Sequence, residues 1–522
     1  MIKKILNMTK RIICFSLFAL CLVAFTSCSF ADWVDSEFQD DTNDTENDFS
    51  EDDNYSTSFT LARFTGERLD PYLSKNRTNR DLLSLCYDPL IYADNSCDPV
   101  CVIASDFEQG DNYVAFTISS DARFSDGTYV TASDCVYSYS VAMDPESVYV
   151  DRFEYISDFK ALSDGRFAVY FNMDSMYNVN LCDIPIIKVG TNGDFISTGS
   201  GKYCIIRDNA SVYLEKNPYS MVDNGENFEV SKISVHDISS TEELLYNFNY
   251  NKIHGAYSDI TDDGIEFRGN IETISFCDNS LVFAVVNRNN AESFISDPLF
   301  SKGITYCIDR TSICEEYLSG GTEPTWYPFN PDWSVTSAAD LNDDIYSTVD
   351  AHEFFTASGA VLTGTVRTVN EIPIELKLVV NSENLTKVEV AESVAKDLEN
   401  MGFSVIIESL TWDKYTEAVR NGDYDIYIAE VLLPLNMDIG ILLSDTVNTG
   451  CGYYSERLIG AIDSFNSGNL SMRDFLRVFQ EELPFIPLYF NRGALAVNRV
   501  VSGDFAPAIG NIYNGIENWI FS

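Results

Sequence analysis

Basic residues are scarce in this sequence. Its 522 residues carry 34 Lys and Arg against 80 Asp and Glu, a formal charge of −46. A phosphate backbone needs a cationic footprint, so nucleic acid is excluded as a partner. Histidine is scarcer still: His236, His254 and His352 are the only three, and none is spaced as a metal ligand. No CxxC pair occurs, which leaves thiolate zinc and iron–sulfur sites unsupported. The glycine spacings of dinucleotide and phosphate cradles are missing, as are HExxH and the GxSxG elbow. Asp259-Ile-Thr-Asp-Asp-Gly264 imitates a calcium loop, but Thr261 stands where Asp or Asn belongs, and the stretch reads as a turn. Paired acids for glycoside hydrolysis arise by chance among 80 carboxylates. The expectation is a protein with no metal, no cofactor and no catalysis.

A long apolar run is also lacking. Ile12 to Phe25 is fourteen uncharged residues, short of the ~20 that span a bilayer. Behind it stand Lys3, Lys4, Lys10 and Arg11, and after it Thr26-Ser27-Cys28. A basic head, a short apolar run and small residues read as a secretory signal peptide over 1–27. Val23 to Cys28 resembles a bacterial lipobox, with Phe25 bulkier than usual, so Cys28 is expected to carry lipid. Stable anchoring needs more than one acyl chain. Residues 31–55 hold eleven acids and no base, which predicts a disordered tether over 28–57.

The remaining ten cysteines, Cys86, Cys97, Cys101, Cys135, Cys182, Cys204, Cys277, Cys307, Cys314 and Cys451, are scattered. Export permits disulfides, but buried free thiols serve a chain of this length equally well.

Arg80 to Tyr87 predicts a short helix with Leu82, Leu83 and Cys86 on one face. Val114, Phe116 and Ile118 alternate as a strand does, Ser125-Asp126-Gly127 marks a turn, and Thr131 with Asp134 opens a helix. Further strands are expected over Arg166–Phe171 and Lys202–Glu215. The second half changes character. Ile372 to Leu378 and Phe403 to Ile407 alternate, Ala391, Val394 and Leu398 recur at helical spacing, and Trp412–Val419 and Tyr424–Ala429 follow as helix and strand. This β-α-β-α-β order predicts a parallel sheet. Residues 457–483 read as helical, and Pro484 to Phe490 as a strand. Two architectures suggest two lobes around a cleft.

Phe124-Ser-Asp-Gly-Thr128 followed by Val130-Thr-Ala-Ser-Asp134 resembles a phrase of the family 5 extracellular solute-binding proteins of bacterial ABC importers, the oligopeptide and nickel type. Leu85-Cys-Tyr-Asp-Pro-Leu90 corresponds to their LxYExL phrase with Asp for Glu and one insertion. Gly303 to Arg310, Glu482 to Tyr489 and Trp519 follow in the family's order. The resemblance implies an α/β, bilobed, Venus-flytrap fold. Its expected parts are a first lobe over 58–284 with an extra β-rich subdomain at 98–200, a second over 285–486, and a return at 487–522. Hinges would lie near Val285-Val286-Asn287 and Pro487-Leu488-Tyr489. It also implies a lipid-anchored monomer outside the membrane that captures an oligopeptide for the permease subunits. A nickel chelate, an oligosaccharide or a sensing role are the alternatives. In the family an Asp after the strand at 424–429 holds the peptide amine, which points to Asp438, with Asn436 beside it; Asp438 also reads as a loop acid or helix N-cap. Trp326, Tyr327, Trp412, Tyr87 and Tyr453 are the expected aromatic lining, core packing being the other reading for each.

Overall fold

A computed structural model of the chain describes residues 58–521, apart from 195, 209–210, 222–229, 260–266, 289–292, 319–320, 340, 342–344 and 444–450. The expected signal peptide, Cys28, the acidic tether and most of the 259–264 turn lie outside the described residues. Among the described residues no helix is long and apolar enough to cross a membrane.

Two long strands organise the body. Ile271–Val286 and Ile486–Asn498 run antiparallel, and their two ends enter different cores. At one end, Ile271–Cys277 pairs with Arg492–Asn498, and Gly255–Asp259 adds outside them. Phe276, Leu495 and Val497 pack there with Leu61, Phe116 and Trp519. At the other end, Ser280–Val286 pairs with Ile426–Leu432, followed by Glu375–Asn381 and Ser404–Leu410, which are parallel as expected. In this stretch the side chains alternate. Leu281, Phe283 and Val285 join one core with Trp333 and Phe479, while Val282, Ala284 and Val286 join another with Leu376 and Val394. A sheet buried on both faces needs a continuous apolar strand, which Leu281–Val286 is.

The pairing register shifts between Cys277 and Leu281. The stretches expected as crossings, at Val285–Asn287 and Pro487–Tyr489, lie beyond that shift, where Val285 and Val286 are paired with Tyr427 and Ile426 and Pro487 with Phe283.

The first lobe carries two further sheets. Thr60–Phe64 pairs in parallel with Lys232–Ile238, and Ser211–Lys216 and Tyr203–Asp208 complete four strands. A separate antiparallel sheet holds Ala104–Gly110, Tyr113–Ile118, Phe167–Phe171 and Ile156–Ala161, in that spatial order. Helix Ala132–Ala142 packs on it, and its Tyr139 ring lies 4.9 Å from that of Phe167. The helix starts as its sequence foretells: Asp134 Oδ2 accepts from Thr131 N at 2.9 Å and Thr131 Oγ1 at 2.6 Å. Asp is therefore long enough to close this turn.

Two boundaries differ from expectation. The helix read at Arg80–Tyr87 spans Arg77–Leu83, because Asn76 caps it earlier by accepting from Thr78 N at 3.0 Å. Cys86 reaches the core from the turn that follows rather than from the helix. Ile372 and Pro373 belong to a small three-stranded sheet with Val366–Val369 and Val361–Thr363, so the Leu376 strand begins only at Glu375. None of the ten described cysteines is in a disulfide, and seven of them are buried.

Candidate functional site

After the helix ends at Leu83, the chain turns through Leu85-Cys86-Tyr87-Asp88 and is clamped there by backbone. Gly201 N donates to Cys86 O at 3.0 Å, Tyr203 N to Leu85 O at 2.9 Å, and Ile186 N to Asp88 O at 2.9 Å. This approach requires glycine: a Cβ on Gly199 would stand 2.2 Å from the Cys86 carbonyl oxygen. The clamp holds Tyr87 and Asp88 on the wall of a cavity of about 570 Å³. Its far side comes from the long strand and the second sheet, through Phe276, Asp278, Asn279, Leu432 and Leu435. Leu432 ends a strand of that sheet, the place where open α/β sheets receive ligands. A cavity of about 450 Å³ backs onto the other side of Tyr87, within the first lobe.

Nine charged residues line the larger cavity: Arg77, Arg80, Arg152, Lys202, Asp81, Asp88, Asp183, Asp278 and Glu517. Most are occupied. Arg77 Nε donates to both oxygens of Asp81 at 2.9 and 3.1 Å, Arg152 forms a bidentate pair with Asp183 at 2.9 and 3.0 Å, and Lys202 pairs with Glu517. Asp278 accepts from Ser280 N at 2.8 Å. Arg80 and Asp88 are different, for among the described residues neither side chain has a hydrogen-bond or ion-pair partner. Burial pushes the Asp88 carboxyl up to about 6, against the pull of Lys202. A carboxylate desolvated without a partner is poised for a cationic one.

Of the residues expected from sequence, only Tyr87 lines this cavity, its hydroxyl donating to Ser197 O at 3.0 Å. Asp438 is buried elsewhere. Its Oδ1 accepts from Gly440 N at 2.8 Å, at the entrance to the short helix Ile439–Leu443, and its Oδ2 from Tyr155 Oη at 3.2 Å. Burial raises its carboxyl above the usual range. Asn436 donates through Nδ2 to Asn178 Oδ1 at 3.0 Å. These two belong to a seam of buried amides joining the lobes. Asn330 Nδ2 donates to Asn279 Oδ1 at 2.8 Å, and Asn180 Nδ2 to Cys97 O at 2.8 Å and Leu435 O at 3.3 Å. Trp326 and Tyr327 pack in the second lobe's core with Phe329 and Trp333. Trp412 is exposed at the first position of helix Trp412–Asn421 and stacks on Tyr415 at 5.7 Å. Tyr453 donates to Glu482 Oε2 at 2.7 Å beneath Arg288.

Sequence reasoning passed over Asp88, although the LxYExL phrase placed an acid beside Tyr87. Arg77, Arg80 and Arg152 carried no signal of their own.

Comparison with known proteins bears on this arrangement. Residues 99–438 match the model of the bacterial extracellular solute-binding proteins, family 5 middle region. The chain is 23% identical over 508 residues to the periplasmic oligopeptide-binding protein OppA of Salmonella typhimurium, covering 85% of this chain and 89% of that one. Its fold is similar to the unliganded open form of the periplasmic murein tripeptide-binding protein MppA, with TM-score 0.72, 16% identity, and 90% and 98% of the two chains covered. Oligopeptide-binding AppA from Bacillus subtilis, solved with a nonapeptide, matches at TM-score 0.56 and 18% identity, covering 89% and 99%. The two lobes and the added sheet are thus the bilobed periplasmic-binding-protein fold with its curled β subdomain. A family model covering well over half of the chain places it: the protein belongs to the family 5 bacterial extracellular solute-binding proteins, which bind solutes and are not enzymes.

Proposed function

We propose that this protein captures peptides outside the cell and delivers them to the permease of an ABC importer, with Asp88 taking the ligand's positive end. The observation that carries the reading is a carboxyl without a partner, pushed up to about 6, on the wall of a 570 Å³ cavity between the lobes. Cavities of roughly 300–1,000 Å³ suit small ligands, with a few polar groups fixing orientation. The relatives matched are named for peptides, which supports the same class. Tyr87 shares the wall, while Asp438 and Asn436 hold the joint beside it rather than the amine. The first lobe then runs to about the register shift at Cys277–Leu281, where closure would bend the strands. Ligand drives closure only through higher affinity for the closed state.

In this reading residues 1–27 are removed, lipid on Cys28 anchors a monomer to the outer face of the membrane, and the acidic tether supplies reach. Cys28→Ala should release the protein into the medium or block processing. Unchanged membrane retention refutes the anchor.

The ligand test is a double-mutant cycle. Wild type and Asp88→Asn are titrated by calorimetry with a peptide and its N-acetylated form. Coupling of at least about 1 kcal/mol is expected. Additive losses would remove Asp88 from the site, and tight binding of an uncharged sugar would remove the peptide.

A further inference from the structure

We propose that the cavity holds both ends of its ligand, with Arg77 and Arg80 taking a carboxylate, so that the preferred solute is a zwitterionic peptide of two or three residues. This rests on the peptide reading of the same cavity. Arg77 and Arg80 lie three apart on helix Arg77–Leu83, and both line the wall, a spacing that brings side chains to one face. Arg77 spends its Nε on Asp81 and lies 4.2 Å over the Tyr257 ring, which fixes the guanidinium plane. Its Nη2 is buried without a hydrogen-bond partner. A buried donor left unsatisfied is costly, and a planar guanidinium matches a carboxylate. Arg80, one turn on, adds an uncommitted charge.

The cationic and acidic groups stand in different charge surroundings. Lys202 and Glu517 are the charges that act on Asp88, whereas Arg77, Asp81, Tyr149 and Glu67 act on Arg80. The same wall carries apolar Leu85, Val102, Val148, Phe276 and Leu435. A ligand with an amine, a carboxylate and apolar matter fits that set of groups. Length follows from size. An extended nonapeptide spans roughly 30 Å, which asks for a trench; 570 Å³ suits a molecule of two or three residues.

The test uses calorimetric titration with peptides of two, three, five and nine residues of one alternating Ala–Leu sequence, and with C-terminal amides of the two shortest. The two- and three-residue peptides are expected to bind at least about tenfold more tightly than the nonamer. Amidation and Arg80→Gln should each weaken the tripeptide by about tenfold. Combined, they should weaken it little further than either alone. Arg77→Gln, its folding checked by thermal melting, should behave as Arg80→Gln does. Equal affinity for all lengths, or indifference to amidation, overturns this inference and leaves the peptide reading standing. Failure of every peptide to bind overturns both.

Discussion

Two polar regions bridge the lobes, and they are built on opposite plans. The cavity wall carries nine full charges, six of them paired within the wall itself, one on a backbone amide, and Arg80 and Asp88 left over. The seam beside it is made of neutral amides: Asn178, Asn180, Asn279, Asn330 and Asn436, all buried. An unpaired charge survives only where water or a ligand can reach it, because a dry ion without a partner is too costly. A neutral amide can be dried at far lower cost, even where, as at Asn180 Oδ1 and Asn279 Nδ2, a buried atom has no hydrogen-bond partner among the described residues. The difference separates a surface meant to exchange partners from one meant to keep them.

The largest effect expected from breaking this contrast lies in the seam. Asn330 donates to Asn279 and accepts from Asp332 N at 2.9 Å. Asn330→Leu leaves those groups unmet and should cost about 3 kcal/mol of stability, read by urea denaturation. A loss under about 1 kcal/mol would show that the amides are interchangeable packing.

Asp438→Asn comes next. Because its oxygens cap Gly440 N and accept from Tyr155, stability should fall by about 0.5–2 kcal/mol while peptide affinity barely moves. A large affinity loss with unchanged stability would return Asp438 to the binding site.

The acid in the cavity should answer to pH, with opposite signs in two measurements. Asp88 has its pKa raised to about 6. Between the usual carboxylate value near 4 and pH 6, the folded form holds more protons than the unfolded one. Its contribution to stability therefore falls as pH rises through that window. Affinity for an amine needs the charged form, so affinity should fall as pH drops below 6, approaching tenfold per unit. Asp397, also pushed up to about 6 by burial, adds to the stability slope alone. Asp88→Asn should abolish the affinity slope and leave part of the other. An affinity slope that persists in the variant would point to another acid.

The smallest expected effect is none: a protein truncated to begin at Thr57 should keep its melting temperature and its affinity. A drop of several degrees would show that the acidic segment packs on the body.

Much of the second lobe was legible because its signals are local. Ala391, Val394 and Leu398 repeat at helical spacing between strands marked by their own alternation, and such patterns need no knowledge of distant residues. The cap at Thr131 and Asp134 is legible for the same reason. The cavity is not. Whether an acid lacks a partner depends on residues far along the chain, as Lys202 meeting Glu517 does, leaving Asp88 its neighbour but not its partner. Asp88 and Asp438 both follow a turn near an aromatic or an amide, and nothing within ten residues tells them apart. Trp326 and Tyr327, expected as lining, sit in a proline-bounded loop that can fold inward as readily as outward; here it closes on Phe329 and Trp333.

The two long strands also set an order of events in time. The core of the first lobe gathers Phe59 and Leu61 from its beginning and Leu495, Val497 and Trp519 from the chain's last thirty residues, with Trp519 packed against Phe59 and Phe505. One core of the second lobe draws only on residues between Val282 and Tyr489. Contacts between distant segments wait for the later segment to exist, and domains form as their parts become available. As the chain emerges from its N-terminus, the second lobe has all the material for that core while the first still lacks its closing strand and its final tryptophan. The lobe written first is the last to be finished.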